Sequence, residues 1–179
     1  ELLRAAATGA RRIVVGVGGS ATCDGGVGML SALGVRFLDG AGRAIEGGPA
    51  DFHAVRSIDA DGLDRSVAGA QIAVAVDVNN PLLGPDGAAA VFAPQKGASA
   101  QDVAALERAL ERIADVAART FGRDLRALPG AGAGGGLAYG LAQVLGASVE
   151  AGVFLVARER GLPALLDRAH RCFTGEGSI

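Results

Sequence analysis

A short apolar run that leads into a glycine-rich loop constrains the fold of this chain more than any other feature. Residues 13–15 are Ile-Val-Val, the composition of a buried strand. The loop that follows holds four glycines and three polar side chains: Gly18, Gly19, Gly25, Gly26, Ser20, Thr22 and Asp24. Glycine lets backbone N–H groups turn toward an anion, and hydroxyl groups add donors. The loop is therefore predicted to bind phosphate or carboxylate.

Asp24 gives this loop a second chemistry. Its carboxylate would repel a bound anion, so it is better suited to holding a metal, accepting a proton or capping a helix near Gly25. A tight glycine turn with an aspartate N-cap and no ligand would explain the same residues. The sequence of this loop is compatible with both interpretations, a binding site and a structural turn.

A second polar group follows the most apolar strand of the chain. Residues 71–77 predict a central strand, and Pro81 prevents its continuation. Open α/β sheets bind ligands at the carboxyl ends of their strands, so Asp77, Asn79 and Asn80 are candidate binding residues. An Asx turn before a proline is the structural alternative.

A single lysine stands out in a chain that otherwise uses arginine. Lys96 lies after Gln95 in a Pro-Gln-Lys-Gly turn, and the other sixteen of the 17 basic residues are arginines. A compact, mobile ammonium group suits contact with a phosphate. A stray surface lysine is the alternative.

A second glycine loop precedes an apolar helix. It runs over residues 128–136 and includes Gly134 and Gly135, and the helix is predicted over residues 137–145. Backbone amides at a helix N-terminus are compatible with anion binding. Close packing through small residues would require the same glycines.

The coarse pattern predicts an α/β fold in a single domain, with a mixed sheet and flanking helices. Strands are expected at residues 12–17, 35–38, 55–58, 71–77 and 171–174, and helices at 1–10, 25–33, 87–92, 99–121, 137–145 and 162–169. Ser99 and Asp102 form a capping-box signature at the start of the longest helix. Residues 153–156 are compatible with a strand or with the start of a helix.

Composition excludes several classes of function. The formal net charge of −2 and the lack of a basic cluster argue against a nucleic-acid partner. No apolar run approaches the ~18 residues of a membrane span, and no signal peptide is recognised. Cys23 and Cys172 give neither a metal spacing nor a disulfide framework, so a cytoplasmic location is expected.

Glycine loops after strands, an aspartate at a strand end and one lysine together predict phosphoryl transfer. No Gly-Lys-Ser/Thr P-loop and no protein-kinase signature occur. An NAD(P)-dependent oxidoreductase is an alternative, because residues 16–21 match G-x-G-x-x-A and Asp39 follows the next strand. A non-catalytic ligand-binding domain is a further alternative.

Five linked motifs resemble the bacterial glycerate kinase family, the type I glycerate 2-kinases. They are residues 18–30 with 32–35, Asp-Val-Asn-Asn-Pro-Leu-Leu-Gly at 77–84, residues 87–92 through Pro-Gln-Lys-Gly-Ala at 94–98, residues 129–132 through 135–137, and Thr-Gly-Glu-Gly at 174–177. The motifs follow the order and spacing of the family over nearly the whole chain. Cys23, Asn79 and Ala93 depart from the family pattern, and Asn79 stands where the family usually has an aspartate.

The resemblance implies transfer of a phosphoryl group from ATP, with Mg²⁺, to D-glycerate as a small-molecule substrate, giving 2-phosphoglycerate (or 3-phosphoglycerate). It also implies two α/β domains, one inserted in the other, with the active site between them. The chain would be the middle portion, mostly the inserted domain. Residues 1–10 and 170–179 would be cut ends belonging to the adjoining domain, and the fragment is expected to be inactive alone.

The site residues expected from motif and resemblance form two groups. Asp77, Lys96 and Asp24 are the candidate catalytic residues, with Asp77 also the candidate metal ligand. Asp24 or Asp77 would hold Mg²⁺ or deprotonate the attacking hydroxyl, and Lys96 would offset charge on the phosphoryl group. The candidate binding residues are Gly18, Gly19, Ser20, Thr22, Gly25, Asn79, Asn80, Gln95, Gly134, Gly135, Thr174 and Glu176.

Overall fold

Two small sheets organise the chain in the computed structural model, which describes residues 1–173 and residue 175. The strands are β1 (Arg12–Gly16), β2 (Arg36–Leu38), β3 (Ser57–Asp59), β4 (Gln71–Val76) and β5 (Ser148–Ala151). β4 lies between β1 and β5 and pairs with both in parallel, with Val14 opposite Ala73 and Val74 opposite Val149. β2 and β3 form a separate antiparallel pair.

Helices flank these sheets. They are α1 (Leu2–Ala7), α2 (Val27–Ala32), α3 (Arg65–Ala68), α4 (Ala100–Phe121), α5 (Ala133–Leu145), α6 (Gly152–Glu159) and α7 (Leu162–Leu166). Short 3₁₀ helices cover Pro49–Ala54 and Pro94–Lys96, and a π-helix covers Ala88–Phe92. The predicted α/β class is confirmed, and the strands divide between a parallel and an antiparallel sheet. Within residues 1–173 and residue 175, no helix has the length and the apolar composition of a membrane span.

The longest helix begins and ends at the residues that the sequence predicts. At its start, the Ser99 hydroxyl accepts a hydrogen bond from the Asp102 amide, and the Asp102 carboxylate accepts one from the Ser99 amide. At its end, Gly122 adopts a left-handed conformation with φ of +66°. A reciprocal capping box and a left-handed glycine satisfy backbone groups that a helix leaves unpaired.

Buried side chains form three clusters around α4 and α5. The first packs the parallel sheet against α1, α3 and α5 and includes Ala6, Ile72, Val74 and Leu141. The second packs α4 onto the antiparallel pair and α2, and the third joins α4 to Tyr139 of α5 and to the loop around Leu82. The central position of β4 explains its apolar sequence, because residues 72–74 are buried between helices and neighbouring strands.

The carboxyl-terminal part of the chain differs most from the predicted elements. β5 was not predicted, and residues 153–156 belong to α6 rather than to a strand. The predicted strand at 171–174 is wrong for residues 171–173, which form neither helix nor strand, and Thr174 lies outside the described residues. This segment has few apolar residues in alternation, so its pattern gave little information.

Candidate active site

A cavity of about 500 Å³ lies where β1 and β4 end. Because β1 and β4 are parallel neighbours, both carboxyl ends meet at this edge of the sheet, the usual ligand position in open α/β folds. The lining residues are Val17, Gly18, Gly19, Ser20, Ala75, Val76, Asp77, Val78, Phe92, Gln95, Lys96, Ala133 and Gly134. Seven predicted site residues are thus brought to one cavity.

The first glycine loop exposes its backbone toward this cavity. β1 ends at Gly16, and Gly18 and Gly19 follow with open space where a Cβ atom would lie. Gly19 has a φ of +69°, a conformation that few other residues adopt. The half-buried Ser20 hydroxyl lies at the end of this exposed stretch. Bare peptide groups beside a hydroxyl are suited to contact an anion.

Lys96 holds the first glycine loop in place. Its ammonium group donates hydrogen bonds to the Ser20 hydroxyl at 3.0 Å and to the Thr22 carbonyl at 2.5 Å. The pKa of Lys96 is lowered overall, and burial is the main cause. The Coulombic influence of Cys23 and Asp24 acts in the opposite direction and offsets part of this shift. The lysine therefore brings positive charge to the cavity wall and orders the loop that forms that wall.

Asp24 lies just before α2, whose N-cap residue is Gly26, and its side chain accepts hydrogen bonds from amides at the start of the helix. Its Oδ1 accepts a hydrogen bond from the Gly26 amide and its Oδ2 accepts one from the Gly28 amide, both at 2.9 Å. It is not among the residues that line the cavity. Of the roles predicted for Asp24, the geometry corresponds to helix capping, in which a side-chain oxygen satisfies an unpaired amide.

Asp77 is the carboxylate that the fold brings to the cavity. It follows the last residue of β4, and its side chain is exposed. Within the described residues, no three His, Cys, Asp or Glu side chains are grouped closely enough to hold a metal ion by themselves. A metal bound at Asp77 would therefore need most of its ligands from outside these side chains.

The second glycine loop packs against the first. Gly134, Gly135 and Gly136 have φ values of +65°, +69° and +87°, and only Gly134 lines the cavity. The Gly25 amide donates to the Gly135 carbonyl at 3.1 Å, and a Cβ atom on Gly136 would lie 2.8 Å from the Gly25 Cα. This close contact leaves no room for side chains, so Gly25 and Gly135 position the loops.

The remaining predicted residues lie elsewhere. Asn79 and Asn80 are not among the lining residues; the Asn80 side chain donates to the Asp86 carbonyl at 2.8 Å and orders the turn after β4. Thr22 contributes its carbonyl to Lys96. Thr174 and Glu176 lie outside the described residues.

Sequence reasoning did not identify the apolar part of the cavity. Val17, Val76, Val78, Phe92 and Ala133 line it beside the polar groups. The one available signal was position, because Val17 precedes Gly18 directly and Val78 follows Asp77. Apolar residues beside a glycine loop are otherwise indistinguishable from core residues in a sequence.

The structure does not support the dinucleotide-binding alternative. α2 begins at Val27, beyond the G-x-G-x-x-A motif, and β2 lies in the antiparallel pair rather than beside β1. Asp39 accepts hydrogen bonds from the amides of Ala41 and Arg43 in its own turn. The Arg43 amide contributes most to a lowered pKa of Asp39. This aspartate is a turn residue, whereas the fingerprint requires one that binds a ribose.

Fold and cavity together define an α/β domain with a glycine-loop cavity at the carboxyl edge of a parallel sheet. The chain belongs to the Glycerate kinase family, whose sequence model matches residues 1–179. The resemblance predicted from the five motifs is thereby confirmed.

Several relatives that match this chain are named as glycerate kinases. The chain is 43% identical to the glycerate kinase of Bacillus subtilis (strain 168) over 180 residues, which cover 100% of this chain and 47% of that protein. It is 39% identical to the glycerate 2-kinase of Escherichia coli (strain K12) over 178 residues, 99% of this chain and 47% of that protein. The chain thus spans about half the length of the curated relatives it matches.

The fold also matches a solved structure. A crystal structure assigned to glycerate kinase 2 of Salmonella typhimurium LT2 superposes with a TM-score of 0.89 at 42% sequence identity. The match covers 94% of this chain and 45% of that one. The agreement confirms the α/β architecture of the chain.

Proposed function

We propose that the full-length protein phosphorylates D-glycerate, with ATP as the donor, to give 2-phosphoglycerate. The observation that carries this proposal is the convergence of Gly18, Gly19, Asp77 and Lys96 on one cavity. Backbone amides, a cation and a carboxylate are the groups that phosphoryl transfer uses, because the protein's contribution is mainly positioning and charge stabilisation. Relatives named glycerate kinase and glycerate 2-kinase support glycerate as the substrate.

The first glycine loop would hold an anionic group. The exposed peptide groups of Gly18 and Gly19 and the hydroxyl of Ser20 supply hydrogen-bonding atoms, and Lys96 supplies the charge. A phosphate of ATP and the carboxylate of glycerate are the two candidate groups. Lys96 would stabilise negative charge on the transferring phosphoryl group without having to move, because its hydrogen bonds already fix it.

Asp77 would serve as the catalytic carboxylate. It is the carboxylate of the cavity lining, whereas both oxygens of Asp24 already accept backbone hydrogen bonds. Asp77 would accept the proton of the attacking hydroxyl or contribute one ligand to Mg²⁺. Protein sites for Mg²⁺ commonly use one or two carboxylates together with substrate phosphates and water, so one carboxylate fits. When bound, Mg²⁺ would neutralise charge on the phosphates.

We also propose that the described residues form one wall of the active site and that the remainder of the full-length protein supplies the other. Support comes from the length of the relatives, of which this chain covers about half. Asn79, Thr174 and Glu176 stay candidates for that completed site. ATP as the donor makes the cytoplasm the proposed location.

The proposal is tested by measuring ADP release from the full-length protein with ATP, Mg²⁺ and D-glycerate. We expect turnover that depends on D-glycerate and is absent with L-glycerate or with NAD(H) alone. A protein that releases no ADP with D-glycerate or related hydroxy acids would contradict the proposed reaction and favour a ligand-binding domain.

The position of phosphorylation requires a second measurement. In proton-coupled ³¹P spectra, phosphorus on the 2-hydroxyl couples to one carbon-bound proton, and phosphorus on the 3-hydroxyl couples to two. We expect a doublet for the product, as 2-phosphoglycerate requires. A triplet would assign the enzyme to 3-phosphoglycerate instead.

A further inference from the structure

Gly152 is the residue that limits where the carboxylate of Asp77 can lie. It is the first residue of α6, directly after β5. A Cβ atom built on Gly152 would lie 2.9 Å from Oδ1 of Asp77, closer than such atoms approach in proteins. The next neighbours, the Ala75 Cβ and the Val76 carbonyl oxygen, would both be 3.7 Å away in ordinary contact.

The backbone gives no other reason for glycine at this position. Gly152 is absent from the residues with positive φ, so its conformation is open to any amino acid. Alanine has a higher helix propensity than glycine and loses less conformational entropy on folding. A helix that begins with glycine here gives up that stability, and what it gains is the space occupied by Oδ1 of Asp77.

We propose that Gly152 is a positioning residue for the proposed phosphoryl transfer, and that it acts by leaving room for Asp77. The inference rests on the proposed function, in which Asp77 is the catalytic carboxylate. It assigns Gly152 no contact with substrate. Oδ1 is the free end of an exposed side chain and can rotate away from an added methyl group. The fold would therefore tolerate alanine at residue 152, while the carboxylate would leave its place in the cavity.

The test is Gly152→Ala in the full-length protein, measured for kcat, KM and thermal midpoint. We expect kcat to fall about 10- to 100-fold, because a displacement near 1 Å of a reacting group has effects of this size. KM for D-glycerate should change little, and the thermal midpoint should stay the same or rise. Gly48→Ala is the matched control: Gly48 lies outside the cavity, has no positive φ and has open space at its Cβ position.

A double-mutant cycle separates an effect through Asp77 from a direct one. In the Asp77→Asn background, Gly152→Ala should change kcat by no more than about twofold, since the group that it displaces is already inactive. An unchanged kcat in the single variant would overturn the inference, as would the same loss in both backgrounds. If the unmodified protein releases ADP with D-glycerate, these failures leave the proposed function standing. An unmodified protein without that activity overturns both.

Discussion

The ammonium group of Lys96 donates a hydrogen bond to the hydroxyl of Ser20 over 3.0 Å, joining residues 76 positions apart. A second bond to the Thr22 carbonyl ties the same ammonium group to the first glycine loop two residues further on. One side chain thus supplies charge to the cavity and determines the shape of the loop that forms its wall. Function and loop order should therefore be lost together when Lys96 is changed.

Lys96→Met should lower turnover of the full-length protein by about 100-fold or more, because the loss of one charge-stabilising donor has effects of this size. It should also speed amide hydrogen exchange at residues 18–22. Arg119→Met, which removes an exposed cation of α4 outside the cavity, is the control. Normal turnover in Lys96→Met would remove this lysine from the catalytic residues, and unchanged exchange would show that it does not order the loop.

Asp24 should behave as a helix cap rather than as a catalytic group. Asp24→Ala should destabilise the protein by about 1 kcal/mol, because the Gly26 and Gly28 amides at the start of α2 lose their side-chain acceptor. Asp24→Asn keeps a capping oxygen and should retain most of the stability and turnover. Thermal unfolding and ADP release, measured on both variants, distinguish a helix-capping role from a catalytic one. Loss of turnover in a stable Asp24→Asn protein would identify Asp24 as catalytic.

The contact between the two glycine loops should make Gly135 sensitive to any side chain. A Cβ atom at Gly135 would lie 2.8 Å from the Cys23 Cα and closer still to the Thr22 carbonyl oxygen. Gly135→Ala should cost about 2 kcal/mol more than Gly122→Ala. Gly122 is the matched control, with φ of +66° against +69° and open space at its Cβ position. Equal losses of thermal stability would mean that backbone conformation alone requires glycine.

Gln143 should be the polar side chain that holds the segment between α4 and α5 against α5. It is fully buried, its amide nitrogen donates to the Arg123 carbonyl at 2.8 Å, and its amide oxygen accepts from the Leu125 amide at 3.2 Å. Gln143→Leu should destabilise the protein by about 2 kcal/mol by leaving both backbone groups unpaired. Gln101→Leu, on the exposed surface of α4, should have little effect on the thermal midpoint. A Gln143→Leu protein as stable as that control would contradict this role.

The sequence was most informative where a local pattern determines a local structure. The sequence predicts the capping box at Ser99, the end of the longest helix at residue 121 and the apolar run of β4, because each depends on residues near one another in the chain. Partners distant in sequence were not predictable. On α4, for example, Glu107 accepts a hydrogen bond from the Gly84 amide and Arg112 donates one to the Val55 carbonyl.

In the candidate site, too, local features could be predicted from the sequence and contacts between distant residues could not. Gly18, Asp77 and Lys96 could be singled out because glycine loops, strand-end carboxylates and a lone lysine are unusual in themselves. Their meeting at one cavity depends on the parallel pairing of β1 with β4, which no local pattern contains. Asp77 and Asp24 are equally plausible catalytic carboxylates in the sequence. The structure distinguishes them, because the Asp24 carboxylate accepts hydrogen bonds from the Gly26 and Gly28 amides.

Phosphoryl transfer should depend on the carboxylate of Asp77, and ADP release by Asp77→Asn tests this dependence most directly. The variant preserves shape and removes charge, so the fold should be unaffected. Asp61→Asn, on an exposed turn, is the matched control. We expect turnover with D-glycerate to fall by about 100-fold or more in Asp77→Asn and to stay unchanged in Asp61→Asn. Near-normal turnover in Asp77→Asn would contradict the proposed site.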